Sequence, residues 1–308
     1  MTRPGTWWHL HLPLRTPLGG LPYRDVVLRE GPSGWGEMSP LPGYPCDPAR
    51  AAAAMEEAAF GTWPPAVRDE IPVNGIVPAV GPDEAAALAG EARAQGITTV
   101  KVKVGDPGDV DRVAAVRDAL GPAGAIRVDA NGAWDVDTAL ATIARLARFG
   151  LELVEQPVAS IDDLAVVRRR LGGSVAIAAD ECVRSVDDAR RLRRMEAADV
   201  LVLKVQPLGG VAAALAVAEA AGLPALVSSM FETSVGLAAG VALAAALPDL
   251  PYACGLGSAG LLVVDVAADP LVAVDGMLPV RRVPADPALM GPFSVPSEGV
   301  PDAGGLSA

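Results

Sequence analysis

The chain has 308 residues, a mass of 31.3 kDa and a formal net charge of −12. Its 51% hydrophobic and 20% charged residues are typical of a folded globular protein and exclude a disordered or fibrous chain. The acidic balance excludes the positive field that attracts nucleic acids or anionic membrane surfaces, so we expect neither as a partner.

The rarest polar residues limit the possible chemistry further. Lysine occurs three times, at positions 101, 103 and 204, and histidine twice, at positions 9 and 11. This excludes a histidine base and a histidine-rich metal site in the body of the chain. The cysteines at positions 46, 182 and 254 lie far apart and form no CxxC motif, which predicts neither a zinc site nor a disulfide framework.

No segment has the pattern of a targeting or membrane-spanning element. The first residues lack an extended apolar stretch and a small-residue cleavage site, and the longest uncharged apolar run covers residues 233–248. That run is shorter than the roughly 18–20 residues that cross a bilayer. We therefore expect a cytoplasmic protein with no membrane insertion.

The first 70 residues predict a small α+β unit. Strands are predicted over 7–14 and 23–29, joined by RTPLGG, and the Pro- and Gly-rich segment 34–45 is expected to be an irregular connection. A helix is predicted over 47–60, because Asp47 is a good N-cap and a proline follows it in the first helical position.

From about residue 71, short aliphatic runs alternate with Ala-rich amphipathic segments. Five polar residues near the ends of the central runs, separated by 26, 26, 25 and 24 positions, are Lys103, Asp129, Glu155, Asp180 and Lys204. A strand, a helix and two short loops occupy about 25 residues and produce parallel strands. The predicted strands are 71–79, 99–105, 125–132, 151–157, 175–181, 200–207, 224–230 and 251–257.

Eight parallel strands of this kind close into a barrel of the (β/α)8 type, which we expect over residues 71–264. An open doubly wound sheet is the alternative, but no glycine-rich phosphate loop follows any of the strands. The closed barrel is therefore favoured. Beyond residue 265 the chain becomes rich in Pro, Gly and Asp, which predicts a packed tail.

Charged residues stand at the C-terminal ends of the predicted strands, which converge on the face where barrels of this class build their sites. Asp129, Glu155 and Asp180 come from three successive strands and include no histidine. Such an all-oxygen set predicts a hard cation, Mg²⁺ with Mn²⁺ as a substitute. Salt bridges at the strand ends are the alternative interpretation.

The scarcity of lysine points to the same face, since all three lysines fall at predicted strand ends. A guanidinium group cannot lose its proton, whereas a crowded lysine can lose it and act as a base. Lys101 and Lys103 lie on one side of their strand, and their like charges are expected to favour loss of a proton from one of them. A small-molecule carboxylate substrate bound to the metal between lysines predicts α-proton removal and a metal-stabilised enediolate.

The motifs KVKVG, RVDANGAW, VEQP, ADE and LKVQPLGG, in this order and spacing, resemble the enolase superfamily, in its muconate-lactonising-enzyme subgroup. The resemblance covers nearly the whole chain. It implies a (β/α)7β TIM-like barrel over 71–264 that carries the metal and the lysines. It also implies an N-terminal α+β capping domain over 1–70, completed by part of 265–308.

Within the subgroup, RTPLGGLPYRDVVLREGPSGWGEMSPLPGYP and SSMFETSVGL look most like the o-succinylbenzoate synthase family. That family dehydrates 2-succinyl-6-hydroxy-2,4-cyclohexadiene-1-carboxylate to 2-succinylbenzoate in menaquinone biosynthesis, a Mg-dependent syn elimination. By this resemblance Lys103 takes the α-proton and returns it to the departing hydroxyl, Lys204 acts from the opposite face, and Lys101 tunes Lys103. The residues that it places around the substrate or behind the metal ligands are Asn131, Glu181, Ser228, Ser229 and Gly255.

Two alternatives stay open. Opposed lysines suit a 1,1-proton transfer equally well, so an N-acylamino acid racemase or a dipeptide epimerase is the nearest rival, although PYACGLGSAG offers no acid to grip a substrate ammonium group. A non-catalytic barrel that serves as a binding module is more remote. The loop at residues 18–20 is expected to close over the site as a lid. The sequence does not determine the oligomeric state.

Overall fold

The computed structural model describes residues 6–18 and 21–295, so most of the predicted lid, Gly19 and Gly20, lies outside the described residues. The strands are β1 Trp7–Leu18, β2 Leu21–Gly31, β3 Gly34–Met38, β4 Glu70–Pro72, β5 Gly75–Val77, β6 Thr99–Lys103, β7 Ala125–Asp129, β8 Leu151–Glu155, β9 Ala176–Ala179, β10 Val200–Leu203, β11 Ala225–Val227 and β12 Met277–Pro279. The helices are α1 Pro48–Phe60, α2 Pro82–Ala94, α3 Asp109–Leu120, α4 Val136–Leu146, α5 Ile161–Leu171, α6 Val186–Arg194, α7 Val205–Leu208, α8 Val211–Ala221, α9 Ser234–Ala246 and α10 Pro287–Met290. In this described part, no helix is both long and apolar enough to span a membrane.

The N-terminal region forms an antiparallel sheet, the capping sheet, in the order β1-β2-β3. Alternation along β1 buries Leu10 and Leu12 completely in an apolar cluster, so His11 between them faces away from that cluster. Helix α1 begins after Asp47, whose side chain accepts a hydrogen bond from the Ala49 N–H. The predicted N-cap is therefore confirmed, and α1 packs against the capping sheet.

The expectation of an irregular connection over 34–45 is wrong for its first five residues, which form β3. Glycines normally weaken a strand, and β3 has two of them. Gly36, however, lies so close to α1 that an added Cβ would meet the Met55 carbonyl oxygen at 2.0 Å. The contact between helix and sheet requires this glycine, and a local sequence pattern does not reveal such a contact.

C-terminal residues pack on the hairpin of β1 and β2. Leu10 pairs with Ser294 and Leu14 pairs with Leu262, and Val266 lies in the same apolar cluster as both leucines. The exact division of the chain at residues 70 and 265 stays a prediction.

The barrel consists of seven parallel strands, β5 to β11, in chain order. The predicted eighth run, 251–257, closes the ring through two single bridges, Cys254 with Val73 and Gly255 with Ser228. The Gly255 N–H donates to the Val227 carbonyl at 2.8 Å, which joins this segment to β11. The predicted fold class, a barrel with an α+β capping domain, is confirmed.

The predicted first strand, 71–79, is divided in the structure. β4 pairs with β12 outside the barrel, whereas β5 pairs with β6 inside it. Pro72 has no N–H to donate, and the next two N–H groups turn to different partners, Val73 to the Gly276 carbonyl and Asn74 to the Cys254 carbonyl. The proline and the change of partners separate the two short strands.

Side-chain caps fix the lengths of the loops that follow the barrel strands. Ser160 and Ser185 each accept a hydrogen bond from an N–H in the first turn of the next helix, at Asp163 and Asp188. Helix α5 then ends at Gly172, whose φ of 60° is in the left-handed region that favours glycine. Short, capped connections of this kind hold the polar strand ends at one level of the barrel.

Candidate active site

The five polar residues selected by their spacing lie at one end of the barrel, here called the mouth. Lys103, Asp129 and Glu155 are the last residues of β6, β7 and β8, while Asp180 and Lys204 directly follow β9 and β10. In the strand register Lys103 lies opposite Asp129, and Asp129 lies opposite Glu155. The structure thus gathers residues that are up to 101 positions apart in the chain.

Lys101 lies one layer deeper, buried between two carboxylates. Its Nζ donates to Glu155 Oε1 at 2.7 Å and lies 2.9 Å from Asp129 Oδ2. Burial lowers the pKa of Lys101, but Asp129 and Glu155 raise it more, so it lies above the ordinary lysine value. The carboxylates therefore hold the proton on the Lys101 amine. The expectation that one of the two neighbouring lysines loses its proton stays a prediction.

Lys103 is the most accessible of the three lysines, with 28% of its side chain exposed against 8% for each of the others. Its Nζ donates to Asp129 Oδ2 at 2.6 Å and to Asn131 Oδ1 at 2.7 Å. Asn131 in turn donates from Nδ2 to Glu181 Oε1 at 2.8 Å, and its N–H donates to Asp129 Oδ1 at 3.0 Å. Asn131 therefore connects Lys103 with two acids of the mouth.

Lys204 stands on the other side of the mouth and is buried. Its ammonium group donates to Asp180 Oδ2 and lies 4.1 Å from the ring centroid of Tyr44, a cation–π distance. Burial lowers the pKa of Lys204, whereas Asp180, Glu181 and Glu155 together raise it above the ordinary value. Lys204 is therefore paired with a carboxylate and an aromatic ring at the mouth.

The strand order places Lys103 and Lys204 opposite each other. Between β6 and β10 lie β7, β8 and β9 in one direction, and β11, the 251–257 segment and β5 in the other. With three strands on either side, the two lysines flank the barrel axis from opposite walls. The carboxylates of β7, β8 and the end of β9 occupy the arc between them.

The mouth holds more negative than positive charge. Four acids, among them Glu181, face three lysines. Burial, followed by the charge of Asp129, raises the pKa of Glu155 to about 7, and burial likewise raises the pKa of Glu181. Glu181 Oε2 is buried without a hydrogen-bond partner. A divalent cation would offset this excess.

Asp129, Glu155 and Asp180 offer the donor set of a hard-cation site, since all three are carboxylates and each is at most 2% exposed. Their oxygens do not all lie within 4.8 Å of one another. The ammonium groups of Lys101 and Lys204 lie beside Glu155 and Asp180. The chemistry of the donors and the excess negative charge fit Mg²⁺, and the lysines neutralise part of that charge in the structure.

Two residues of the mouth were not predicted. Tyr44 reaches in from the segment between β3 and α1, and its hydroxyl donates to Asp180 Oδ1 at 2.7 Å. Gln156 follows Glu155 with a φ of 39°, and its Oε1 accepts the Asp180 N–H at 2.7 Å. Gln156 belongs to the VEQP motif, so its position offered a signal, whereas a tyrosine in a Pro- and Gly-rich loop offers none.

Ser228, Ser229 and Gly255 lie together where the barrel closes. The Ser228 N–H donates to the Leu203 carbonyl and the Ser229 N–H to the Gly255 carbonyl, so the barrel engages both backbone donors. Ser229 Oγ lies 2.8 Å from Ser258 Oγ. An added Cβ at Gly255 would lie 2.5 Å from Ser228 Oγ, so this contact requires glycine. Substrate binding here stays a prediction that depends on the hydroxyl groups.

A cavity of about 740 Å³ opens beside Lys103. The capping domain contributes Leu41 and Tyr44 to its wall, and the barrel contributes Asn131, Gln156 and Glu181. Its volume suits a small molecule. Residues from both domains therefore enclose the space in front of the most accessible lysine.

Comparison with known proteins agrees with this architecture. Residues 84–287 match the enolase C-terminal domain-like family and residues 10–59 match the enolase N-terminal domain-like family. The muconate lactonizing enzyme of Pseudomonas fluorescens has the same fold, with a TM-score of 0.85 and 24% identity over 95% of this chain and 99% of that one. The N-succinyl Arg/Lys racemase of Bacillus cereus has a TM-score of 0.82 and 22% identity, over 94% of this chain and 96% of that one.

Sequence relatives are considerably more similar than these structures. An o-succinylbenzoate synthase of Thermobifida fusca is 60% identical over 88% of this chain and 86% of the relative. The o-succinylbenzoate synthase of Mycobacterium leprae is 46% identical over 92% of this chain and 85% of the relative. The chain therefore belongs to the enolase superfamily and, within it, to the o-succinylbenzoate synthase family.

Proposed function

We propose that this protein is a Mg²⁺-dependent o-succinylbenzoate synthase that dehydrates 2-succinyl-6-hydroxy-2,4-cyclohexadiene-1-carboxylate to 2-succinylbenzoate, a step of menaquinone biosynthesis. The observation that carries the proposal is the placement of Lys103 and Lys204 on opposite walls of a mouth lined by carboxylates. The 60% identity to the Thermobifida fusca enzyme supports this choice of substrate.

Asp129, Glu155 and Asp180 are the proposed ligands of Mg²⁺, for which Mn²⁺ is a substitute. When bound, the cation supplies positive charge where the substrate carboxylate gains negative charge. Lys101 donates to Glu155 and contacts Asp129, so it orients two of the ligands. Asn131 bonds to Lys103 and Asp129, and Glu181 accepts a hydrogen bond from Asn131. Gln156 accepts the Asp180 N–H, so these three residues support the ligands and Lys103.

Lys103 is the proposed base. Its neutral amine takes the proton from the ring carbon that carries the carboxylate, and the ammonium group returns that proton to the hydroxyl on the neighbouring carbon. The C–O bond breaks, water leaves and the ring becomes aromatic, so atoms and charge balance. One amine can serve both steps only if the proton and the hydroxyl lie on the same ring face, which makes the elimination syn.

Lys204 is the proposed electrostatic partner on the opposite face. Its hydrogen bond to Asp180 and its contact with the Tyr44 ring suit an ammonium group that stabilises negative charge on the substrate. The opposed lysines suit an N-acylamino acid racemase or a dipeptide epimerase as well, and the 60% identity to the o-succinylbenzoate synthase of Thermobifida fusca favours dehydration over both. We assign the succinyl carboxylate to the hydroxyl groups of Ser228 and Ser229, beside Gly255.

The direct test offers the cyclohexadiene substrate to the metal-free protein, with and without Mg²⁺, and follows aromatisation by ultraviolet absorbance. We expect turnover that appears with Mg²⁺ and disappears with EDTA. A second sample contains an N-succinyl amino acid in deuterated water, where a racemase incorporates deuterium at the α-carbon. If the cyclohexadiene is not aromatised with or without Mg²⁺, and the N-succinyl amino acid takes up deuterium, the proposal is overturned in favour of the racemase.

A further inference from the structure

The two histidines of the chain meet one carboxylate on the outer face of the capping sheet. His9 Nε2 lies 2.6 Å and His11 Nε2 lies 3.2 Å from Asp25 Oδ1. All three potential ligand atoms lie within 4.8 Å of one another. This group, here called the histidine cluster, is the one set of three or more such residues with that spacing in the described part of the chain.

The sheet itself produces the histidine cluster. Alternation along β1 buries Leu10 and Leu12, which turns His9 and His11 to the opposite face, two positions apart. In the antiparallel register His11 is directly opposite Asp25 on β2. Regular backbone pairing, rather than a loop, therefore holds all three residues.

Neighbouring rings orient the imidazoles. The His11 ring stacks on Tyr23 with centroids 4.6 Å apart and an interplanar angle of 22°, and the His9 ring meets the His11 ring edge-on at 5.5 Å. The side chains of His9, His11 and Asp25 are 22%, 41% and 60% exposed. The cluster is therefore preorganised on one side and open to water on the other.

The spacing of the donor atoms is close to that of a metal site. Tetrahedral zinc with bonds of about 2.0–2.1 Å to nitrogen and oxygen separates its ligand atoms by roughly 3.3 Å. Shifts of about 1.5 Å or less bring each pair to that separation. Two imidazoles and a carboxylate suit Zn²⁺, Ni²⁺ or Cu²⁺, whereas Mg²⁺ prefers oxygen ligands alone.

We propose that His9, His11 and Asp25 form a binding site for a transition-metal ion of the Zn²⁺ class, with water completing its coordination. The ion joins β1 to β2 across the outer face of the capping sheet. The site uses none of the residues of the mouth, and its ligand chemistry differs from that of Asp129, Glu155 and Asp180.

The test uses the full chain without a histidine tag, in saturating Mg²⁺ so that the carboxylates of the mouth do not compete for the probe. Zn²⁺ is titrated while the imidazole nitrogens are followed by NMR, which is unambiguous because the chain has two histidines. We expect both imidazoles to shift together with a stoichiometry of one Zn²⁺. His11→Gln and Asp25→Asn should each weaken Zn²⁺ binding about tenfold or more.

Glu30→Gln is the matched control, since Glu30 is another exposed acid of β2 and lies outside the histidine cluster. It should leave Zn²⁺ affinity unchanged. Imidazole signals that do not change with Zn²⁺, or equal Zn²⁺ affinity in all variants, would overturn the proposal. The cluster would then be only a His9–Asp25 hydrogen bond with His11 beside it. Aromatising activity is not a readout here, so the result is independent of the proposed function.

Discussion

Buried carboxylates at the mouth and at the junction between the capping sheet and the barrel have different partners. At the junction, Glu37 of β3 accepts hydrogen bonds from Ser39 Oγ at 2.6 Å, the Gly236 N–H at 2.9 Å and the Thr233 N–H at 3.2 Å. Glu232 accepts the Met230 N–H. These donors are neutral, whereas Asp129, Glu155 and Asp180 each contact an ammonium group.

The pKa values of these carboxylates reflect burial together with the charges of their neighbours. Burial raises the pKa of Asp129, but Lys101 and Lys103 lower it more, so it lies well below the ordinary value. Burial and the neighbouring charge of Glu232 raise the pKa of Glu37 to about 7, and the donors around Glu37 offset only part of this. Ammonium partners thus lower the pKa of Asp129, although burial and the charge of Asp129 still raise the pKa of Glu155 to about 7 in the same mouth. At the junction, neutral donors connect the two domains. The two regions should therefore respond differently to substitution.

The largest expected effect is at the mouth, for Lys103→Arg. Arginine keeps the positive charge but cannot act as a base, so we expect turnover to fall on the order of 10³-fold. Ultraviolet assays of aromatisation measure the loss, and thermal unfolding in the same buffer should show a folded protein. Near-wild-type turnover would rule out Lys103 as the base.

The next effect concerns the ligands of Mg²⁺. Asp129→Asn removes a carboxylate that both Lys101 and Lys103 contact, and we expect Mg²⁺ affinity to fall about 100-fold or more. Calorimetric titration with Mg²⁺ measures this. Asp137→Asn is the matched control, because the side chain of Asp137 is 92% exposed and forms a surface ion pair with Arg170. Equal losses in both variants would contradict a role specific to Asp129.

The sequence predicted the mouth better than the junction, for a physical reason. Lys103, Asp129 and Glu155 each end a strand of a regular βα repeat, so spacing alone brings them together. Glu37 and Tyr44 lie in the capping domain, and their partners Thr233 and Asp180 follow more than 130 positions later in the chain. Such contacts depend on how one domain docks on the other, and the spacing of residues in the sequence does not predict this docking.

The same limit explains the errors on individual strands. Gly36 reads as a strand breaker until α1 is placed against β3. The pKa of Lys101 shows the same limit, because the sequence shows Lys103 two positions away but not the carboxylates of two other strands, which raise this pKa. The like charge of Lys103 is visible in the sequence, whereas the opposite charges of Asp129 and Glu155 are visible only in the fold.

At the junction, pH should change stability through Glu37. Its pKa of about 7 in the folded state exceeds the ordinary 4.5, so the folded protein binds more protons than the unfolded chain between these values. The stabilisation from the protonated carboxyl is therefore complete below about pH 4.5 and is lost as pH rises to about 7, by at most about 3 kcal/mol. Unfolding by urea at several pH values measures it.

Glu37→Gln should lack this contribution, so the stability difference between wild type and variant should decline from pH 4.5 to 7. Glu30→Gln, an exposed position on the neighbouring strand, serves as the control and should keep the wild-type profile. Parallel pH profiles for wild type and Glu37→Gln would show that the neutral donors fully offset the burial of Glu37. The two regions would then differ in partners but not in electrostatic cost.

The smallest expected effect joins the two regions, because Tyr44 extends from the capping domain to the mouth. Asp180 uses one carboxylate oxygen for the Tyr44 hydroxyl and the other for Lys204. Tyr44→Phe frees the first oxygen while its ring stays over Lys204, so Mg²⁺ should bind more tightly, by several-fold and at most about tenfold. Titration with Mg²⁺ measures this change, which is opposite in sign to that of Asp129→Asn.

Tyr252→Phe is the matched control, since Tyr252 lies near Arg127 rather than at the mouth. Weaker Mg²⁺ binding by Tyr44→Phe would mean that the hydroxyl orients Asp180 for the cation instead of competing with it. In that case the capping domain would complete the metal site, although Tyr44 is distant in sequence from the metal ligands. Tighter binding would show that the capping domain limits access to a site that the barrel builds alone.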